Sequence, residues 1–159
     1  MESFQQFNDI QYATADNHRL LLDLYLPKVK QQPPLLVWIH GGAWRAGSKA
    51  NMPLIDLVKQ GFAVASVDYR LSPVAKFPAQ IYDIKAAIRF LRGSAEMYGY
   101  NADKIGILGS SAGGHLVALM GVTNRNQQLE GDLGDFDNQS SSVQAIVDYF
   151  GPTNFMTIL

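Results

Sequence analysis

Ser111 stands at the centre of Gly109-Ser110-Ser111-Ala112-Gly113, a G-x-S-x-G pattern. The apolar run Lys104-Ile105-Gly106-Ile107-Leu108 precedes it, and a helix-like segment, Gly114 to Gly121, follows. Strand, tight turn with serine at its apex, then helix is the context of a nucleophile elbow. The flanking glycines permit backbone angles and close packing that a Cβ would obstruct. Such a turn holds the hydroxyl out at the end of a strand, above a helix N-terminus that favours developing negative charge. The chemistry implied is attack on an acyl carbon, with a covalent serine intermediate and a general base that takes the proton. The plain alternative is a glycine-rich turn in which Ser111 merely caps a helix. The strand before and the helix after favour the nucleophile.

His40-Gly41-Gly42-Ala43 lies about seventy residues upstream and ends another apolar run, Leu35 to Ile39. Its glycines let backbone N–H groups of Gly41 and Gly42 point at a developing oxyanion, and the N–H of Ala112 supplies the second donor. One such donor is worth about 3 kcal/mol of transition-state stabilisation. Alone, H-G-G is only a tight turn; with the elbow it reads as an oxyanion hole.

The chain has three histidines. His18 falls in a polar turn. His40 opens the oxyanion loop, where its ring is expected to brace the loop rather than accept a proton. His115 comes four residues after Ser111, about 5.4 Å along a helix axis, and should recede from the hydroxyl, so a structural role is expected. Asp68 and Asp148 end apolar runs and are expected to anchor loops. Asp83 is expected on a solvated helix face or paired with nearby Lys85 or Arg89. Asp132, Asp135 and Asp137 do not have calcium-loop spacing, and no residue set calls for a metal or cofactor. Trp38 reads as core. Trp44 could line a substrate pocket or pack the loop.

These residues need a scaffold. Ile10–Tyr12 and Leu20–Leu26 flank the polar turn Ala15–Arg19 and predict an antiparallel hairpin. Leu35–Ile39, Phe62–Val67, Lys104–Leu108 and Ala145–Phe150 are continuous apolar runs, as in strands buried on both faces. Helices are expected at Pro53–Gln60, with Gly61 as cap, from Pro78 to about Tyr98, and after the elbow. Ile81, Ile84, Ile88, Leu91 and Ala95 form an apolar stripe along the long helix. Asn124–Ser142 reads as loop. Alternating strands and helices imply an α/β fold with a mainly parallel sheet and helices on both faces. His40-Gly41-Gly42, Asp68-Tyr69-Arg70 and Ser111 all stand at carboxyl ends of strands, where such sheets carry their sites.

The 159 residues are 47% hydrophobic and 17% charged, the latter low against a usual value of about 25%. Low charge implies extensive buried surface, or surface meant to be covered by something else. A net charge of −1 gives no electrostatic case for nucleic acid or an anionic membrane. The absence of cysteine excludes disulfides and thiolate chemistry. The start of the chain has no secretory pattern and no run is long enough to span a bilayer, so a cytoplasmic protein is expected.

His40-Gly41-Gly42-Ala43-Trp44, Asp68-Tyr69-Arg70-Leu71-Ser72-Pro73, Phe77-Pro78-Ala79-Gln80 and Gly109-Ser110-Ser111-Ala112-Gly113-Gly114-His115 occur in this order. Together they resemble the α/β-hydrolase fold carboxylesterases, in particular those related to hormone-sensitive lipase and the bifunctional feruloyl/acetylxylan esterases. Asp148-Tyr149-Phe150-Gly151-Pro152-Thr153-Asn154 resembles the strand after the elbow helix in the second group. The resemblance implies a Ser–His–acid triad in chain order nucleophile, acid, histidine, with Ser111 as nucleophile and Gly41, Gly42 and Ala112 as oxyanion donors. It places the acid and histidine on loops beyond residue 159. The chain is therefore expected to be the N-terminal portion of one incomplete α/β-hydrolase domain, 1–159, truncated after the strand that follows the nucleophile helix, with that strand as an exposed edge open to self-association. The implied activity is hydrolysis of small-molecule carboxylic esters, acetyl or feruloyl esters among them. The alternatives are an inactive fragment or assembly module and, more weakly, a peptidase on the same fold.

Overall fold

The computed structural model describes residues 4–158. Residues 1–3, part of the N-terminal stretch read as lacking a secretory pattern, and residue 159 lie outside them. Six strands form one sheet in the order β1-β2-β4-β3-β5-β6. They are β1 (Phe4–Ala15), β2 (His18–Pro27), β3 (Pro34–Ile39), β4 (Ala63–Val67), β5 (Asn101–Ser110) and β6 (Ala145–Tyr149). The β3/β4, β3/β5 and β5/β6 pairs are parallel; β1/β2 and β2/β4 are antiparallel. The expected hairpin is thus the antiparallel edge of the same sheet.

Its strands are longer than the apolar runs predicted. The outer half of β1 is polar and mostly exposed, so hydrophobicity does not mark it; pairing from Phe4↔Pro27 onward does. The turn is two residues long. Asp16 and Asn17 both have positive φ, 48° and 62°, as a primed hairpin turn demands, and Asp and Asn tolerate that conformation better than most residues.

The helices are α1 (Ile55–Lys59), α2 (Ala79–Gly93), α3 (Ala95–Tyr98), α4 (Ala112–Val122) and α5 (Gln127–Glu130). α1 covers one face, where Val58 packs with Tyr25, Val64 and Leu36. α2 and α4 cover the other, and Ile81, Ile84, Ile88, Leu91, Leu116 and Val117 meet Leu35, Val37, Ile39, Ile105 and Ile107 in the main core. Each fully buried Leu, Ile or Val contributes about 1.5–3 kcal/mol. Gly61 has φ +99° just past α1, as expected of a helix cap.

The single helix expected over Pro78–Tyr98 is two. The break falls at Ser94, whose N–H and Oγ both donate to Phe90 O, at 2.9 and 2.7 Å. That hydroxyl competes with the helical ladder, and Gly99 ends α3 with φ +85°. The Asn124–Ser142 stretch contains a short helix, α5, capped by the Asn126 side chain, which accepts from Gln128 N at 3.0 Å. β6 pairs only with β5 among the described residues and is exposed throughout. No described helix is long and apolar enough to cross a membrane.

Five charged side chains, Asp23, Arg70, Asp83, Lys85 and Arg89, are themselves buried.

Candidate active site

β5 delivers the backbone to Ser111 and α4 leaves from it. Ser111 has φ 54° and ψ −119°, a sparsely populated conformation that costs on the order of 1–3 kcal/mol and persists only where the surroundings fix it. Two bonds do so: Ser111 N–H donates to Tyr149 O on β6 at 2.9 Å, and His115 N–H donates to Ser111 O at 3.0 Å. Ser111 is exposed, whereas Ala112, Gly113 and Gly114 behind it are buried. Gly113 is required by close approach, since a Cβ there would lie 2.1 Å from Ile39 O and 2.7 Å from His40 O. The elbow is therefore pressed against the end of β3.

The end of β3 runs into His40-Gly41-Gly42-Ala43, the loop expected to form an oxyanion hole. A Cβ on Gly41 would come 2.8 Å from Ser110 O and 3.4 Å from Ser111 Cβ, so the two loops touch beside Ser111. Gly42 has φ +114°, and a Cβ on it would overlap Ala46 O at 2.1 Å. Ala43 and Trp44 continue in positive φ, at 52° and 59°. Arg45 N–H and Ala46 N–H both donate to Gly42 O, at 2.9 and 3.0 Å, which closes the loop into a turn.

His40 is buried beneath that turn. Its Nδ1–H donates to Gly41 O at 2.7 Å, and its ring stacks on Tyr69 with centroids 4.4 Å apart and planes 12° apart. Tyr69 OH donates in turn to His40 O at 2.9 Å. Burial pushes the His40 pKa down, against the Gly41 bond, which favours the charged form. A neutral ring with Nδ1 protonated fits a brace. His115 lies on α4 with its ring edge-on to Trp44 and Phe155, centroids 5.4 and 5.0 Å apart. Its Nδ1 is buried without a hydrogen-bond partner among the described residues. Burial lowers its pKa too, opposed by the charge of Asp148.

The supporting shell differs from the sequence expectation at one residue. Asp83 neither faces solvent nor pairs with Lys85 or Arg89. It is fully buried and grips Arg70, whose backbone N–H, Nε and Nη2 donate to its carboxylate at 2.7–3.1 Å. Lys85 and Arg89 instead bind Glu130 of α5, at 2.9 and 2.7 Å. The physical reason is that α2 is wrapped on both sides, by the sheet and by the 123–142 loop, so it has little solvated face. A polar residue beside an apolar stripe then finds an internal partner. Asp68 anchors the loop after the oxyanion turn, accepting from Lys49 N–H at 2.6 Å. Asp148 accepts from Gly151 N–H at 2.8 Å. Lys49 Nζ is held by Asp9 and Asp23 at 2.8 and 2.7 Å. Burial opposes its charge, but these carboxylates outweigh it and raise its pKa.

Trp38 is buried, as expected, and its Nε1–H donates to Asn51 O at 2.7 Å. Beside it, Trp38, His40, Gly41, Met52, Pro53 and Ser110 line an open cleft of about 390 Å³. The sequence reading placed Tyr69 at the rim within Asp68-Tyr69-Arg70 without giving it a role, and it missed Phe155 as part of the site. Tyr69 had a signal, since it stands at a strand end between Asp68 and Arg70.

The BD-FAE family model matches residues 22–159. The chain belongs to the BD-FAE family. Its mainly parallel sheet and its helices are those of the α/β-hydrolase fold, which its esterase structural neighbours share. It is 36% identical to Esterase LipC of Mycobacterium tuberculosis, over 86% of this chain and 35% of that protein. It is 36% identical to an arylesterase of Saccharolobus solfataricus, over 72% of this chain and 39% of the other. Among solved structures it resembles a truncated form of a carbohydrate esterase from gut microbiota, with TM-score 0.83 and 37% identity, covering 95% of this chain and 58% of that one. It also resembles a bifunctional GH43-CE of Bacteroides eggerthii, with TM-score 0.86 and 40% identity, covering 95% and 21%. The chain spans about a third of the length of LipC and a little more of the arylesterase.

Proposed function

We propose that this BD-FAE chain provides the nucleophile and oxyanion half of a carboxylic ester hydrolase. Ser111 attacks the ester carbonyl carbon. The carbonyl electrons move to oxygen, where N–H groups of Gly41, Gly42 and Ala112 receive the negative charge. Collapse expels the alcohol and leaves an acyl-Ser111, which water then hydrolyses to the acid and free serine. The proton of Ser111 passes to a histidine beyond residue 159 that an acid orients. His40, His115 and Trp44 support the loops that hold these groups, or border the substrate.

The observation that carries this reading is the exposed Ser111 in a strained backbone conformation, touching the oxyanion loop. The apolar cleft beside Gly41 and Ser110 suits one arm of a small ester, with acetyl and feruloyl esters the first to try. A cytoplasmic location, one incomplete domain over 1–159 and self-association through the exposed β6 edge belong to the same proposal.

The test is hydrolysis of p-nitrophenyl acetate by the protein and by Ser111→Ala, both shown to be folded by circular dichroism. Turnover that falls by about 10³-fold or more in the variant supports a serine ester hydrolase. Equal, negligible rates in two folded proteins mean that Ser111 turns over no ester without the histidine beyond residue 159; equal rates that persist when that histidine is present overturn the proposal and leave the chain as an inactive or assembly module.

A further inference from the structure

We infer that Trp44 is a positioning residue whose ring clamps the oxyanion loop to the first turn of α4. The kinetic consequence rests on the esterase reading above; the geometry does not.

Gly42, Ala43 and Trp44 are three successive residues at positive φ, 114°, 52° and 59°. L-residues with a side chain avoid this region, so Ala43 and Trp44 must be held there. Backbone bonds hold part of the segment, with Ser72 N–H donating to Trp44 O at 2.7 Å. The remaining restraint is aromatic. The Trp44 ring meets His115 edge-on, 5.4 Å between centroids at 84°, and Phe155 at 5.7 Å and 47°. His115 and Phe155 meet each other at 5.0 Å and 87°. Three rings from three separate segments thus close on one another, at the spacing and tilt that favour aromatic pairs.

The cluster joins the two halves of the oxyanion hole. Trp44 is two residues past Gly42. His115 is three past Ala112, and its N–H donates to Ser111 O. A shift of the Trp44 ring therefore moves the Gly41 and Gly42 donors relative to the Ala112 donor. Donors must stand about 2.7–3.1 Å from the oxyanion to work, so small displacements matter. The His115 ring acts here as a packing plate, because its Nδ1 is buried without a partner among the described residues. Trp44 itself is half-buried and packs against the main core, as a clamp requires.

The experiment compares Trp44→Ala and Trp44→Phe with the unaltered protein. It reads kcat and KM on p-nitrophenyl acetate, and amide hydrogen exchange across residues 41–46 and across β4. A clamp predicts that Trp44→Ala lowers kcat by roughly tenfold or more with KM within about twofold, the mark of an interaction made in the transition state. It also predicts faster exchange in 41–46 with β4 unchanged, and substantial recovery of both in Trp44→Phe. A rise in KM with kcat preserved would make Trp44 a substrate wall and overturn the inference, as would unaltered exchange in 41–46. If the unaltered protein shows no turnover, exchange alone decides the clamp. Should Trp44→Ala not fold, Trp44→Leu is read in the same two ways.

Discussion

Replacing Asp83 with asparagine preserves shape and removes one charge. Its effect follows from what Arg70 would lose. Three donors of Arg70 converge on the Asp83 carboxylate: the backbone N–H at 2.8 Å, Nε at 3.0 and 3.1 Å, and Nη2 at 2.7 Å. An amide keeps one acceptor oxygen and turns an NH₂ toward donors. Among the described residues the only other carboxylate on Arg70 is Asp16, 3.3 Å from Nη1 and 94% exposed, too well solvated to compensate. Burial raises the Asp83 pKa even against the Arg70 bonds. A buried ion pair gains little over a well-packed apolar pair of the same volume, yet breaking it strands a buried guanidinium. That costs about 3–5 kcal/mol, a large share of a total of roughly 5–15 kcal/mol. In a chain of this length it corresponds to a drop of roughly 6–20 °C in Tm. Urea titration of Asp83→Asn, Arg70→Met and the double variant Arg70→Met/Asp83→Leu gives the test. The double variant should be more stable than Asp83→Asn, because no unpaired charge remains. A loss below about 1 kcal/mol in Asp83→Asn would refute the reasoning, since that is the range of an exposed pair.

Gly113→Ala should destabilise by at least the ~1–3 kcal/mol of an overpacked core, because the new Cβ meets Ile39 O at 2.1 Å; the thermal midpoint measures it. Glu130→Gln should destabilise by about 1–3 kcal/mol, less than a fully buried pair because Glu130 is a third exposed. Burial alone would raise the Glu130 pKa, but its bonds from Lys85, Ser141 and Arg89 prevail and hold it below the ordinary 4.5. Its stabilising effect is thus fully present above pH 4.5 and lost as pH falls through the lowered value. Urea midpoints of the two proteins should converge only below that pH, and a difference that grows on acidification would contradict the assignment.

The buried strands were legible in the sequence because they are continuous apolar runs, and β3 and β4 match their predicted positions to within a residue. β1 was only partly legible. An edge strand with one open side needs no apolar outer half, and Gln5, Gln6 and Asn8 give no periodic signal. The split between α2 and α3 was hidden for a different reason. The stripe from Ile81 to Ala95 continues in register across Ser94, and the turn back is set by bonds the stripe does not announce, from Ser94 Oγ to Phe90 O and from Tyr100 OH to Leu91 O. Asp83 failed because an amphipathic pattern specifies which face is apolar but not whether the opposite face meets water. Here Glu130 and the 123–142 loop cover it. Nothing within four residues of Asp83 announces Arg70 as its partner.

The candidate site was more legible than its support, and the reason lies in what holds it. A nucleophile elbow and an oxyanion loop work through backbone N–H groups and backbone angles, so their requirements are written locally, as glycines at fixed offsets from one serine. The side chains that keep those backbones in place come from elsewhere in the chain: Tyr69 under His40 O, Asp68 on Lys49 N, Phe155 and His115 against Trp44. Their roles depend on distances across the fold and leave no fixed spacing. The strain at Ser111, Ala43 and Trp44 sits at the two loops that would touch an oxyanion. It is balanced by contacts that a substitution several residues away, at Asp83 or Tyr69, can release. Loss of activity without loss of Ser111 is therefore the expected signature of damage to this shell. It would separate support from chemistry in any variant that still folds.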